Sequence, residues 1–82
     1  MKDILRSFGS KVRFYRELLG LSQEKLAEKA NVHRTYIGTV ERGETNITLV
    51  NVYKLAKALE VDMTQLFDVE CDRWWGTRFP PS

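Results

Sequence analysis

Eighty-two residues are enough for one domain, and a chain of that size buries only about 60% of its unfolded surface, so its stability is modest or assisted by a partner. With 43% apolar and 29% charged residues the composition is that of a globular protein: no run approaches the ~20 apolar residues of a membrane span, Arg6, Lys11 and Arg13 interrupt the first apolar residues too early for a secretory signal, and a single cysteine, Cys71, excludes an internal disulfide and fits a reducing cytoplasm. The net charge of +2 is unevenly placed, +5 over residues 1–59 and −3 over residues 60–82, and a basic body with an acidic end suits a protein that turns its front to phosphate.

Leu5, Phe8, Val12, Tyr15 and Leu19 recur at intervals of three and four, which predicts a first helix from about Asp3 to Leu19, ended by Gly20. This stripe is core. Ser22 then has the character of an N-cap. Glu24 suits the positive end of a helix dipole, and Leu26, Ala27 and Ala30 share one face of a short second helix. Asn31 tolerates the left-handed conformation that stops a helix, and Val32 is the apolar residue of the turn. A third helix is predicted from about His33 to Arg42, with Gly43 as its stop.

The third helix has two faces. At about 100° per residue, His33, Ile37 and Val40 group on one side, and Arg34, Thr35, Gly38, Thr39 and Arg42 on the other, with Tyr36 at the boundary. Small hydrogen-bonding groups beside an arginine suit close approach to base edges. Gly38 within a helix costs about 1 kcal/mol against Ala, and a close contact on that face would justify it.

Residues 44–47 form a loop, and Thr48 caps a fourth helix ending near Leu59, with Leu49, Val52, Leu55, Ala56 and Leu59 as core and Lys54 and Lys57 exposed. Asp62 caps a short fifth helix, Met63–Phe67. The whole is all-α, a five-helix domain over residues 1–67. Residues 68–82 lose the pattern, yet hold Trp74, Trp75 and Phe79, and aromatics are rare in disordered tails. This aromatic tail is expected to dock on its own chain or at a dimer interface.

The pattern carries no enzyme. One His and one Cys lie far apart in sequence, so no zinc spacing exists. There is no glycine-rich phosphate loop and no serine with a plausible base beside it. No cofactor, metal or small-molecule ligand is expected.

Three stretches carry a resemblance: Gly20 to Ala27, reading G-L-S-Q-E-x-L-A; Arg34 to Ile37, reading R-T-Y-I; and Glu41 to Gly43, reading E-R-G. With Arg13 and Arg16 preceding Gly20, residues 4 to 67 resemble the Cro and phage-repressor (Xre-type) family of helix-turn-helix DNA-binding proteins. Within it, R-T-Y-I followed by E-R and N-I-T looks most like the controller proteins of restriction–modification systems. The resemblance implies a phage-repressor-like fold with the helix-turn-helix in helices 2 and 3. It implies a structural ion pair between Arg16 and Glu41, and a phosphate contact at Gln23 that also braces the recognition helix. The usual partner of that glutamine is replaced here by Arg34.

Function follows as an expectation: a sequence-specific transcriptional regulator acting as a homodimer on a palindromic operator in double-stranded DNA, with half-sites about 34 Å apart. RNA polymerase is a further partner for such a regulator, and a restriction–modification operon its target. Arg34 is the first base reader, because arginine to guanine is the commonest specific contact, joined by Thr35, Gly38 and Thr39. Gln23, His33, Tyr36, Arg42, Asn46 and Thr48 are the candidate phosphate contacts. Val61, Met63, Leu66, Phe67, Trp74 and Trp75 are the candidate dimer interface. The alternative is an antitoxin-type interaction protein with autoregulatory DNA binding. A coactivator-like module that no longer reads DNA is disfavoured by the base-suited face of Arg34 to Thr39.

Overall fold

The computed structural model describes residues 2–67. Four α-helices follow one another: α1 (Lys2–Leu18), α2 (Gln23–Ala30), α3 (Arg34–Glu41) and α4 (Leu49–Leu59). A single 3₁₀ turn, Met63–Leu66, follows α4 where a fifth helix was expected. Gln65 Oε1 accepts from the Asp62 backbone N–H at 3.0 Å, a capping bond that starts the turn, and the difference lies at its other end. Phe67 then leaves in an extended conformation, φ −102°, so no second turn follows. Among the described residues there is no strand, and no helix is long and apolar enough to cross a membrane. The expected tail, with Trp74 and Trp75, lies outside the described residues.

The helices meet around one core. Phe8 and Val12 enter from α1, Leu26, Ala27 and Ala30 from α2, Ile37 and Val40 from α3, and Val52, Leu55, Ala56, Ala58 and Leu59 from α4. Leu66 completes it from the 3₁₀ turn, with no exposed surface. Phe67 stacks on Phe8 at 5.5 Å between ring centroids. Of the residues predicted as core, Leu5 and Tyr15 are only half-buried and two more are exposed. Leu49 is 72% exposed because it is the first residue of α4, and helical side chains lean back toward the N-terminus, here past the edge of the core. Leu19 falls just beyond the end of α1 and is 41% exposed.

Two glycines set how closely α1 approaches the end of α3. A Cβ on Gly9 would run into the carbonyl oxygens of Val40 and Glu41. Gly43, just past α3, has φ +72°, and a Cβ there would press on the Arg6 backbone. A left-handed residue in contact with another backbone is a place for glycine alone.

Candidate nucleic-acid interface

The interface begins with how α2 and α3 are cut to length. Ser22 Oγ accepts from the Lys25 N–H at 3.0 Å and starts α2. Asn31, at φ 60° and ψ 48°, ends it in the left-handed region, and its N–H returns to the carbonyls of Ala27 and Glu28. Two residues later His33 caps α3: its Nδ1 accepts from the Thr35 N–H at 3.2 Å. His33 was expected inside the helix on its apolar side. It is instead exposed and extended, because the imidazole takes the N-cap role usually held by Ser, Thr, Asp or Asn.

From that start α3 turns Ile37 and Val40 inward and Arg34 and Thr35 outward. The remaining outer residues are more constrained than a helical wheel suggests. Thr39 is half-buried, and its hydroxyl donates to the Tyr36 carbonyl at 2.8 Å. The Tyr36 hydroxyl accepts from Asn51 Nδ2 of α4 at 2.9 Å, tying the recognition helix to its neighbour. Gly38, expected on an open face, is buried beneath side chains: a Cβ there would lie 3.3 Å from Arg42 Nη1 and 3.7 Å from Gln23 Oε1. Its smallness lets Gln23 and Arg42 close over the helix.

Beneath them sits a bracing network centred on Glu41. Arg16 Nε donates to Glu41 Oε2 at 2.6 Å and Arg16 Nη2 to Oε1 at 3.1 Å, a two-pronged pair across α1 and α3. Arg16 Nη1 also donates to the Leu21 carbonyl at 2.8 Å. Gln23 Nε2 donates to Glu41 Oε1 at 3.0 Å. The side chains of Arg16 and Glu41 keep only 12% and 5% of their exposure. One carboxylate thereby locks α1, α2 and α3 together. Sequence reasoning missed the bond from Gln23 to Glu41. No local signal marks it, because the two residues lie 18 positions apart on different helices.

A shallow groove opens above this network, lined by Arg16, Ser22, Gln23, Glu24, Arg34, Thr35, Gly38 and Arg42. Arg34 Nη1 stands 4.0 Å from Glu24 Oε1, with both side chains about two-thirds exposed, so that contact restrains the arginine little. Arg42 Nε meets Glu44 at 3.0 Å. Thr48 Oγ accepts from the Asn51 N–H at 3.2 Å and caps α4, and Asn46 is exposed in the preceding loop. That helix start adds a positive dipole end on the C-terminal side of α3. On α1, the hydrogen bond to Glu17 raises the pKa of the Arg13 guanidinium above its ordinary value.

Of the six residues expected at a dimer surface, Trp74 and Trp75 lie outside the described residues. Leu66 is sealed in the core, and Val61, Met63 and Phe67 are half-buried against it. The 3₁₀ turn spends its apolar surface inside its own domain. The large apolar side chains left exposed lie elsewhere, on α1 (Ile4, Phe14, Leu18) and at the start of α4 (Leu49, Val50, Tyr53). Among the described residues no three His, Cys, Asp or Glu gather as a metal site.

Two short helices at a tight turn, the second braced from behind and offering Arg34 and Thr35 outward, define a helix-turn-helix DNA-binding protein. Comparison with known proteins agrees: a family model described as helix-turn-helix matches residues 12–66, and the chain belongs to this Xre-type family of DNA-binding transcription regulators, which are not enzymes. It is 50% identical over 64 residues to control protein C.SmaI of Serratia marcescens, covering 78% of this chain and 76% of that one. It is 48% identical over 62 residues to control protein C.BamHI of Bacillus amyloliquefaciens, covering 74% and 76%. The restriction–modification controller protein C.AhdI from Aeromonas hydrophila superposes with a TM-score of 0.75 at 48% identity, over 77% of this chain and 96% of that one.

Proposed function

We propose that the protein is a sequence-specific transcriptional regulator that binds a palindromic operator as a homodimer and controls a restriction–modification operon, with RNA polymerase as a further partner. The observation that carries this reading is the braced recognition helix. Glu41, Arg16 and Gln23 fix α3 from behind, while Arg34 and Thr35 stay exposed on its first turn. Arg34 reads a guanine, and Thr35 and Thr39 contact neighbouring base edges or methyl groups. Gln23, His33, Tyr36, Arg42, Asn46 and Thr48 surround that helix with donors for phosphate oxygens. The controller names of the relatives support the operon assignment.

One recognition helix spans too few base pairs to select a site among genomic competitors, which calls for a second copy. Leu49, Val50 and Tyr53, exposed by 72%, 63% and 52%, form one apolar face at the start of α4. We assign the self-complementary contact of a two-fold dimer to this face, in place of the 3₁₀ turn. The test is fluorescence anisotropy on DNA from upstream of the protein's own gene and on a shuffled duplex at the same salt. Binding of the upstream DNA at least about 10³-fold tighter, with two chains per operator, is the expected result. Equal affinity for both duplexes would reject the reading.

A further inference from the structure

The second exposed apolar surface belongs to α1. Ile4, Phe14 and Leu18 are exposed by 50%, 55% and 68%. Ile4, Lys11 and Leu18 recur every seven residues, about two helical turns, with Phe14 one turn before Leu18. They form a stripe beside the core face, and nothing among the described residues covers it. Lys11, half-buried, sits within the stripe as its one charge.

We propose that the C-terminal segment, residues 68–82, folds back on its own chain and lays Trp74 and Trp75 along this stripe. The point of departure favours it. Phe67 is the last described residue, and its ring already rests on Phe8 of α1, one turn from Ile4. The following chain thus starts on α1. Trp74 lies seven residues past Phe67, a reach of up to about 23 Å in extended chain, while Phe8 to Leu18 spans about 15 Å of helix. The indoles therefore reach every position of the stripe without disturbing the fold. Charge agrees as well: Asp68, Glu70 and Asp72 precede the tryptophans and would pass Lys11. The apolar face of α4 is left to the second copy, and this inference does not depend on DNA binding.

Trp74 and Trp75 are the sequence's only tryptophans, so intrinsic emission reports this segment alone. In the full chain without DNA we expect a blue-shifted maximum and weak acrylamide quenching relative to the denatured chain, unchanged on dilution to submicromolar concentration. The Phe14→Ser, Leu18→Ser double variant alters only exposed side chains. With its circular dichroism unchanged, it should emit at the denatured-chain wavelength and quench severalfold more. Ile4→Ser provides a second variant should the first lose helix. Leu49→Ser with Tyr53→Ser, on α4, should leave the emission alone. Denatured-like emission from the parent chain overturns the proposal, as does buried emission that survives the α1 variants. Emission that turns red on dilution or in the α4 variant overturns it too, by placing the indoles on a second copy.

Discussion

Glu41 receives hydrogen bonds from three nitrogens on two other helices, and its side chain keeps little contact with water. Removing it leaves the Arg16 guanidinium partly desolvated and unpaired, which costs about 3–5 kcal/mol. Glu41→Ala should therefore lower the melting temperature by more than ~10 °C. Arg16→Ala with Glu41→Ala should be less damaging than the two single changes summed, and strict additivity in thermal melts would show that the pair is not coupled. At the reading face the expectation is different in kind. Arg34→Ala should cost about 1–3 kcal/mol of specific binding and leave non-specific binding nearly intact. A parallel fall on operator and shuffled DNA would make Arg34 a phosphate contact. At this scale the sequence was partly legible. Arg16 and Glu41 came from the resemblance. The cap at His33 did not, because an imidazole Nδ1 imitates a hydroxyl only once the backbone around it is known. The burial of Gly38 was hidden for a similar reason: Arg42, one turn on, shares its face, but the other half of its roof is Gln23 from α2.

The helices themselves were open to reading, since periodicity and caps mark them from within. Ser22, Asn31 and Thr48 stand at the ends that their side chains suggest. Periodicity assigns a face but not how far the core extends along it, so Leu49 and Leu19 were placed inside and the structure leaves them outside. A short capped segment after Asp62 looked like a helix, and only the extended Phe67 shows that it stops after one turn. Gly9 gave no sign of its importance, because a crossing between α1 and α3 is not a local property. On propensity alone, alanine in the middle of α1 should stabilise it by about 1 kcal/mol. The carbonyls of Val40 and Glu41 reverse the sign. Gly9→Ala should lower stability by about 1–3 kcal/mol through overpacking, measured by urea unfolding. A more stable variant would mean that α1 and α3 separate freely.

For the whole molecule, charge divides the sequence into a basic body, residues 1–59, and an acidic C-terminal region, residues 60–82. That asymmetry could be read directly. The core role of Leu66 could not, because a cluster of apolar residues near the C-terminus does not reveal which of them the core consumes. If two copies meet on α4, Tyr53→Lys places like charges across the two-fold axis. Sedimentation should then show a monomer with the melting profile of a folded domain, and operator affinity should fall steeply. An unchanged dimer would move the contact off α4.

The brace behind α3 has one more consequence. Because Glu41, Arg16 and Gln23 hold the helix from one side, while Arg34 and Thr35 make no contact the core depends on, the reading residues are mechanically separate from the residues that fold the domain. Exposed substitutions away from caps and buried networks usually change stability by no more than about 0.5 kcal/mol. The lettering on the face can thus be replaced while the block that carries it stays the same. A lineage of such proteins can drift to new operators one contact at a time, with every intermediate still folded.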